Sequence, residues 1–134
     1  QDLKPLSSII SGGEASRVML AIKSILSRVD SVSTLIFDEI DTGISGQAAT
    51  SIASKLVEIG KYHQVLCVTH TAQIAAAASS NYVITKNVED DNTNTSLISI
   101  SGNKKVEEVS RLLSGSNILE SIDLAKQLID RFVR

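Results

Sequence analysis

Three groups of residues in this sequence have types and spacing suited to phosphate chemistry. The first is Asp38-Glu39, two adjacent carboxylates that close the apolar run Thr34-Leu35-Ile36-Phe37. Burying such a pair without partners is unfavourable. A divalent cation is one partner, since Mg2+ is held by one or two carboxylates together with substrate phosphates. Phosphoryl transfer to water also needs a polar group that orients the attacking water. Asp38 then faces the metal and Glu39 the water; the competing reading is two solvated charges marking a strand end. The second group is Ser11-Gly12-Gly13-Glu14. Paired glycines at a helix start leave backbone N–H groups uncovered at the positive end of the dipole, where an anion can approach. An ordinary capped helix has the same pattern. The third is His70, which follows a second apolar run and is placed to contact a phosphate at the same sheet edge. A single histidine there also serves purely structural ends. His63 has no comparable context, and Cys67, within the second run, reads as inert core.

These residues are delivered by alternating elements. Ser11 and Glu14 have capping-box spacing. Val18, Ile22, Ile25, Leu26 and Val29 recur at helical intervals, predicting a helix from Gly12 to about Arg28. Thr34 to Phe37 predicts a short buried strand, and Ile40 to Gly46 a loop. Ser45 is placed to cap a helix with the face Ala49, Ile52, Leu56 and Ile59, ending near Gly60. Gln64 to Thr69 predicts a second strand, and Ala72 to Ala78 a short helix. Tyr82 to Lys86 and Ser96 to Ile100 predict two more strands, around a polar tip from Asn87 to Asn94. Lys105 to Leu113 has a helical face of Val106, Val109, Leu112 and Leu113. Asn117 and Glu120 suit a second capping box before a helix from Ile118 to Val133. The stretch through Ile10 is a lead-in with little periodicity.

This order predicts an α/β fold, a mostly parallel sheet flanked by helices, with a C-terminal helical tail. In such sheets ligands gather at the carboxyl ends of the strands. Asp38, Glu39 and His70 all fall there. No repeat, low-complexity tract or second domain is visible.

Apolar residues make up 43% of the 134 residues, enough for the core of one domain. Aromatics are 3% and Trp is absent, so packing falls to Ile, Leu, Val and Ala. A formal charge of −2 gives no general electrostatic reason to bind nucleic acid. The single Cys67 excludes an internal disulfide and suits a reducing compartment. No apolar run approaches the roughly 18 residues of a membrane helix. The start, Gln1-Asp2-Leu3-Lys4-Pro5, does not have the form of a secretory signal. The expectation is a cytoplasmic segment of a longer chain, with no membrane partner.

Taken in order, the glycine loop, helix, acidic strand, Asp-bearing loop, helix, strand and histidine resemble the ABC-type ATPases, a branch of the P-loop NTPases. Ser11-Gly12-Gly13-Glu14 is similar to their signature motif, and Leu35-Ile36-Phe37-Asp38-Glu39 to the Walker B strand with its catalytic Glu. Asp41 falls in the D-loop and His70 matches the switch histidine. Further similarity, in Asp41-Thr42-Gly43-Ile44-Ser45-Gly46, in Thr69-His70 with Gln73, and in Val106 to Gly115, points to a DNA-repair member of the SMC-like branch. Glu14 stands where transporter signatures commonly have Gln.

No G-x-x-x-x-G-K-[ST] loop occurs in these residues. The resemblance therefore implies the C-terminal half of an ATPase head (signature motif, Walker B, D-loop and switch histidine, residues 1–134). The Walker A loop and a long coiled coil would belong to other sequence, and the N-terminal half of the head would be a partner. ATP and Mg2+ are the implied ligands. Asp38 would hold the metal, with Glu39 and His70 catalytic in the same head. Ser11, Gly12, Gly13 and Glu14 would meet the nucleotide of a second head, with Asp41 near that interface. The implied cycle is ATP-driven head dimerisation released by hydrolysis, in DNA double-strand break repair and recombination. DNA would be met through the full-length protein, in the bacterial cytoplasm and at the nucleoid. The isolated chain is expected to bind MgATP weakly and to hydrolyse it negligibly. Two rivals are a transporter-type nucleotide-binding domain and a non-hydrolysing interaction module on the same fold.

Overall fold

The computed structural model describes residues 10–89, 92–115 and 119–133. Asp90 and Asp91 of the expected hairpin tip, and the expected cap Asn117 with Ile118, lie outside them. The chain divides into two compact units, Gln1–Ile74 and Ala75–Arg134. Apolar patterning alone had not marked that division.

The first unit contains helix α1 (Gly12–Leu26), strand β1 (Thr34–Phe37), helix α2 (Gly46–Ile59) and strand β2 (Gln64–Cys67); helix α3 (Ala72–Ala77) spans the boundary. The strands pair in parallel, from Thr34 opposite Gln64 to Phe37 opposite Cys67. A parallel pair needs a long crossover, and α2 provides it. The capping box of α1 forms as its spacing predicts: Ser11 N donates to Glu14 Oε2 at 2.9 Å, and Glu14 N donates to Ser11 Oγ at 3.4 Å. Ser45 occupies the N-cap position of α2, but its side chain makes no capping bond. The buried face of α2 is Ala49, Ala53, Leu56 and Ile59, with Ile52 only half-buried.

Two apolar patterns point elsewhere than their spacing suggested. Leu35 and Phe37 are buried, yet Ile36 between them is 71% exposed. Leu66, directly opposite Ile36, is also exposed, as is Val68 two residues on. Alternate strand residues face opposite sides of a sheet, so β1–β2 is covered on one face and bare on the other. On α1, the stripe Val18, Ile22, Ile25, Leu26 with Val29 beyond the helix is 43–83% exposed. Gly13 and Leu20 lie on the buried side instead. The periodicity identified the helix correctly but not the side that packs.

The second unit pairs β3 (Asn81–Glu89) with β4 (Asn92–Ile100) as an antiparallel hairpin, from Asn81 opposite Ile100 to Glu89 opposite Asn92. Both strands run further than predicted, and this ladder is separate from β1–β2. Helices α4 (Asn103–Ser114) and α5 (Leu119–Asp130) pack against each other, and Val109, Ser110 and Ala125 are fully buried. Gly115 ends α4 in the left-handed region at φ 72°, donating its N–H to Arg111 O at 2.7 Å. A Cβ would disfavour that conformation.

Candidate active site

Because β1 and β2 run parallel, their carboxyl ends share one edge, and Val68 N carries the pairing on by donating to Phe37 O at 3.0 Å. The loops leaving that edge enclose a cleft of about 230 Å³ lined by Asp38, Glu39, Asp41, Thr42, Val68, Thr69 and His70. Asp38, Glu39 and His70 are thereby brought together from positions 31 and 32 residues apart, as the difference of their numbers gives. Asp38 and Glu39 are exposed at the edge. Asp38 Oδ1 accepts the Glu39 N–H at 2.9 Å, which fixes the carboxylate beside the strand end.

Asp41 behaves differently. Its side chain is 1% exposed, and Oδ2 accepts Thr69 Oγ1–H at 2.5 Å, His70 N–H at 2.8 Å and Thr71 N–H at 3.1 Å. His70 Nδ1 lies 3.2 Å from the same oxygen. Burial on its own pushes the Asp41 pKa up. The hydrogen bonds from Thr69 and His70 and the nearby imidazole outweigh it and hold the group below the ordinary carboxylate value. In this conformation Asp41 ties the loop after β1 to the loop after β2, and its carboxylate is turned away from solvent. Burial likewise pushes the Cys67 thiol up to about 12, with Asp41 and Asp38 adding to it, so Cys67 is no thiolate nucleophile near neutral pH.

Ser11, Gly12, Gly13 and Glu14 do not line the cleft. Ser11 Oγ donates to Glu14 Oε2 at 2.8 Å, and the bonds from Ser11 hold the Glu14 pKa down. The first turn of α1 abuts the 38–42 loop instead. A Cβ on Gly12 would come within 2.6 Å of Glu39 Oε2, and one on Gly13 within 2.8 Å of Glu39 O. Ser16 Oγ donates to Asp38 O at 2.7 Å; Arg17 Nη1 donates to Ile40 O at 3.3 Å and Thr42 O at 3.0 Å. Glu39 is the one non-glycine residue with positive φ, 55°, among the described residues.

Several of these participants carried no signal in the sequence. Ser16 and Arg17 read as polar helix positions, and a Thr on either side of His70 was the only hint of the Asp41 network. His63, to which the sequence assigned nothing, is 6% exposed, with Nδ1 2.5 Å from Val32 O and Nε2 3.0 Å from Ser27 O. It fastens the α1–β1 connection.

Asp38 is a sound partner for Mg2+ shared with nucleotide phosphates. Among the described residues no cluster of three or more His, Cys, Asp or Glu could hold a metal by itself. A single strand-end carboxylate fits an ion that is bound mainly by substrate phosphate.

A solved SMC ATPase, from work on the structural biochemistry of ATP-driven dimerisation and DNA-stimulated activation of SMC ATPases, superposes with a TM-score of 0.56 at 21% identity. The superposition covers 85% of this chain and 68% of that one. At that identity the likeness shows the fold alone, an α/β arrangement shared with that SMC ATPase. Over 112 residues the chain is 49% identical to the DNA repair protein RecN of Treponema pallidum, covering 84% of this chain and 20% of that protein. It is 46% identical over 127 residues to RecN of Bacillus subtilis (95% and 22%) and 41% over 129 residues to RecN of Deinococcus radiodurans (96% and 22%). No family model matches the chain. The chain is thus similar to a segment of RecN, and it spans about a fifth of the length of the curated relatives it matches. No helix among the described residues is long and apolar enough to cross a membrane.

Proposed function

We propose that this chain is the C-terminal part of the ATPase head of a RecN protein acting in DNA double-strand break repair and recombination, in the bacterial cytoplasm. The observation that carries the reading is the convergence of Asp38, Glu39 and His70 on one cleft at the carboxyl edge of a parallel pair. Asp38 holds Mg2+ together with ATP phosphates; the bound ion supplies neutralisation of phosphate charge. Glu39 orients the attacking water and accepts its proton. His70, with Nδ1 directed at Asp41, offers Nε2 to the γ-phosphate. Ser11, Gly12 and Gly13 meet ATP bound to a second head, which approaches over the exposed Ser11 and Gly12.

The bare sheet face of Ile36, Leu66 and Val68 is consistent with a partner half that supplies the Walker A loop. These residues hold no phosphate-binding lysine loop, so the chain alone hydrolyses ATP negligibly. ATP bridging two heads makes pairing nucleotide-dependent, and hydrolysis releases it. DNA contacts belong to the full-length protein.

The test uses a full-length RecN bearing these residues. Glu39→Gln is expected to abolish Mg2+-dependent turnover while ATP-dependent dimers persist; normal hydrolysis by this variant would sink the mechanism. Ser11→Arg is expected to block pairing and leave ATP binding to a single head nearly intact. Wild-type dimerisation would remove the role of Ser11 in the neighbouring head.

A further inference from the structure

We propose that Arg17 is a positioning residue for Glu39, through which α1 sets the geometry of the carboxylate loop in its own head. The inference rests on the reading of Glu39 as the residue that orients water.

Three carbonyls of the 38–42 loop are held from one helix face. Ser16 takes Asp38 O at 2.7 Å, and Arg17 takes Ile40 O at 3.3 Å and Thr42 O at 3.0 Å. These alternate positions bracket Glu39 and Asp41. The loop is also tied to itself, with Thr42 N donating to Glu39 O at 3.0 Å. Glu39 sits at φ 55°, a conformation that a non-glycine residue keeps only where its surroundings over-determine it. Arg17 is half-buried, and a single guanidinium nitrogen, Nη1, donates to both carbonyls from a rigid planar group, whereas a lysine ammonium would reach them on a flexible stem. Gly13, against Glu39 O, lets the helix approach this closely.

The same helix therefore exposes Ser11 at its start and, through Ser16 and Arg17, holds the carbonyls on either side of Glu39. A shift of α1 when a second head is engaged is delivered to Glu39 through Arg17 and Ser16. Removing Arg17 leaves Ser11 untouched but loosens the hold on the loop that carries Glu39. Its signature is hydrolysis lost while pairing is kept.

The experiment measures ATP turnover and ATP-dependent dimerisation in a full-length RecN bearing these residues. Arg17→Ala is expected to lower kcat by about 10- to 100-fold, the scale of a small misplacement of a catalytic group. KM should stay within about three-fold, since the change acts on the transition state. ATP-driven pairing of Arg17→Ala in the Glu39→Gln background is expected to match that of Glu39→Gln alone. Arg17→Lys should fall between wild type and Arg17→Ala. Wild-type kcat in Arg17→Ala overturns the proposal, and so does loss of pairing in step with turnover. If Arg17→Ala does not fold, Arg17→Lys and Ser16→Ala carry the same criteria, and wild-type kcat in both overturns it. Wild-type turnover by Glu39→Gln removes the reading of Glu39 and the inference with it; an inactive Glu39→Gln beside a fully active Arg17→Ala removes the inference alone.

Discussion

Asp41 receives His70 from two directions: its Oδ2 accepts the His70 backbone N–H at 2.8 Å and lies 3.2 Å from the imidazole Nδ1. The carboxylate is almost wholly buried while the His70 side chain is 71% exposed. The buried carboxylate faces the Nδ1 edge of the imidazole, so a buried acid sets the edge, Nε2, that an exposed histidine presents to the cleft. Thr69 and Thr71 donate to the same oxygen, which makes Asp41 the joint between the two strand-end loops.

Asp41→Ala is therefore expected to destabilise the fold by about 2–3 kcal/mol, the scale for hydrogen bonds to a charged group that leave buried donors unmatched. Urea unfolding measures it. The pH dependence follows from the direction of the Asp41 shift. Its folded pKa lies below the ordinary value, so its contribution is fully present above the unfolded pKa of about 3.9. That contribution is lost as pH falls through the lower folded value. The stability gap between wild type and Asp41→Asn should hold constant near neutrality and shrink on acidification below about pH 4. A gap unchanged through that range would contradict the ionised network.

The two glycines of the α1 start should differ in their tolerance of Ala. At Gly13 the new methyl meets Glu39 O at 2.8 Å and Thr42 Cβ at 3.1 Å, and the backbone must move. The expected cost is about 1–3 kcal/mol, as for overpacking. At Gly12 it meets the end of the Glu39 side chain, which can swing aside. Gly12→Ala should stay within about 1 kcal/mol of wild type, helped by the better helix propensity of Ala. Thermal unfolding of both variants decides, and the reverse order would show that the helix does not sit where described.

Glu39 stores backbone strain. At φ 55° a side chain crowds its own carbonyl, at about 1–2 kcal/mol for an L-residue. Glu39→Gly should raise stability by about 1 kcal/mol, and Glu39→Val should lower it by a similar amount because β-branching worsens the clash. Denaturant midpoints test this. A destabilised Glu39→Gly would mean that contacts of the carboxylate outweigh the strain.

His63→Leu should remove about 2–4 kcal/mol. Two ring nitrogens facing the Val32 and Ser27 carbonyls are lost, and the carbonyls keep no replacement donor. Guanidinium unfolding provides the measurement. A loss under about 0.5 kcal/mol, the range of an ordinary surface change, would show that water satisfies these carbonyls without the imidazole.

Local pattern was enough for the elements that carry the site. The Ser11–Glu14 spacing predicted the capping box that forms, and the 34–37 run predicted β1 to the residue. Alternating strands and helices placed Asp38, Glu39 and His70 at one sheet edge, because parallel strands must end on the same side. Such features depend on neighbours a few positions apart, so a single sequence contains them. The same cannot be said of direction. The α1 stripe and Ile36 had the periodicity of packed residues, yet they are exposed, since spacing identifies a face but not what covers it.

The sequence by itself determined the chemistry available: an acidic pair and a histidine at strand ends, a glycine-rich helix start, and the absence of a phosphate-binding lysine loop in these residues. Tertiary structure alone decided how those groups relate. It buried Asp41 and aimed His70 with it, fastened His63 between two carbonyls, and set Ser16 and Arg17 against the loop that holds Glu39. Each of these contacts joins residues more than 20 positions apart. Hydrogen-bonding capacity is local to a residue, but the partner that satisfies it depends on how the chain returns. That return is set by the parallel pairing of β1 with β2 and by the close approach that Gly13 permits.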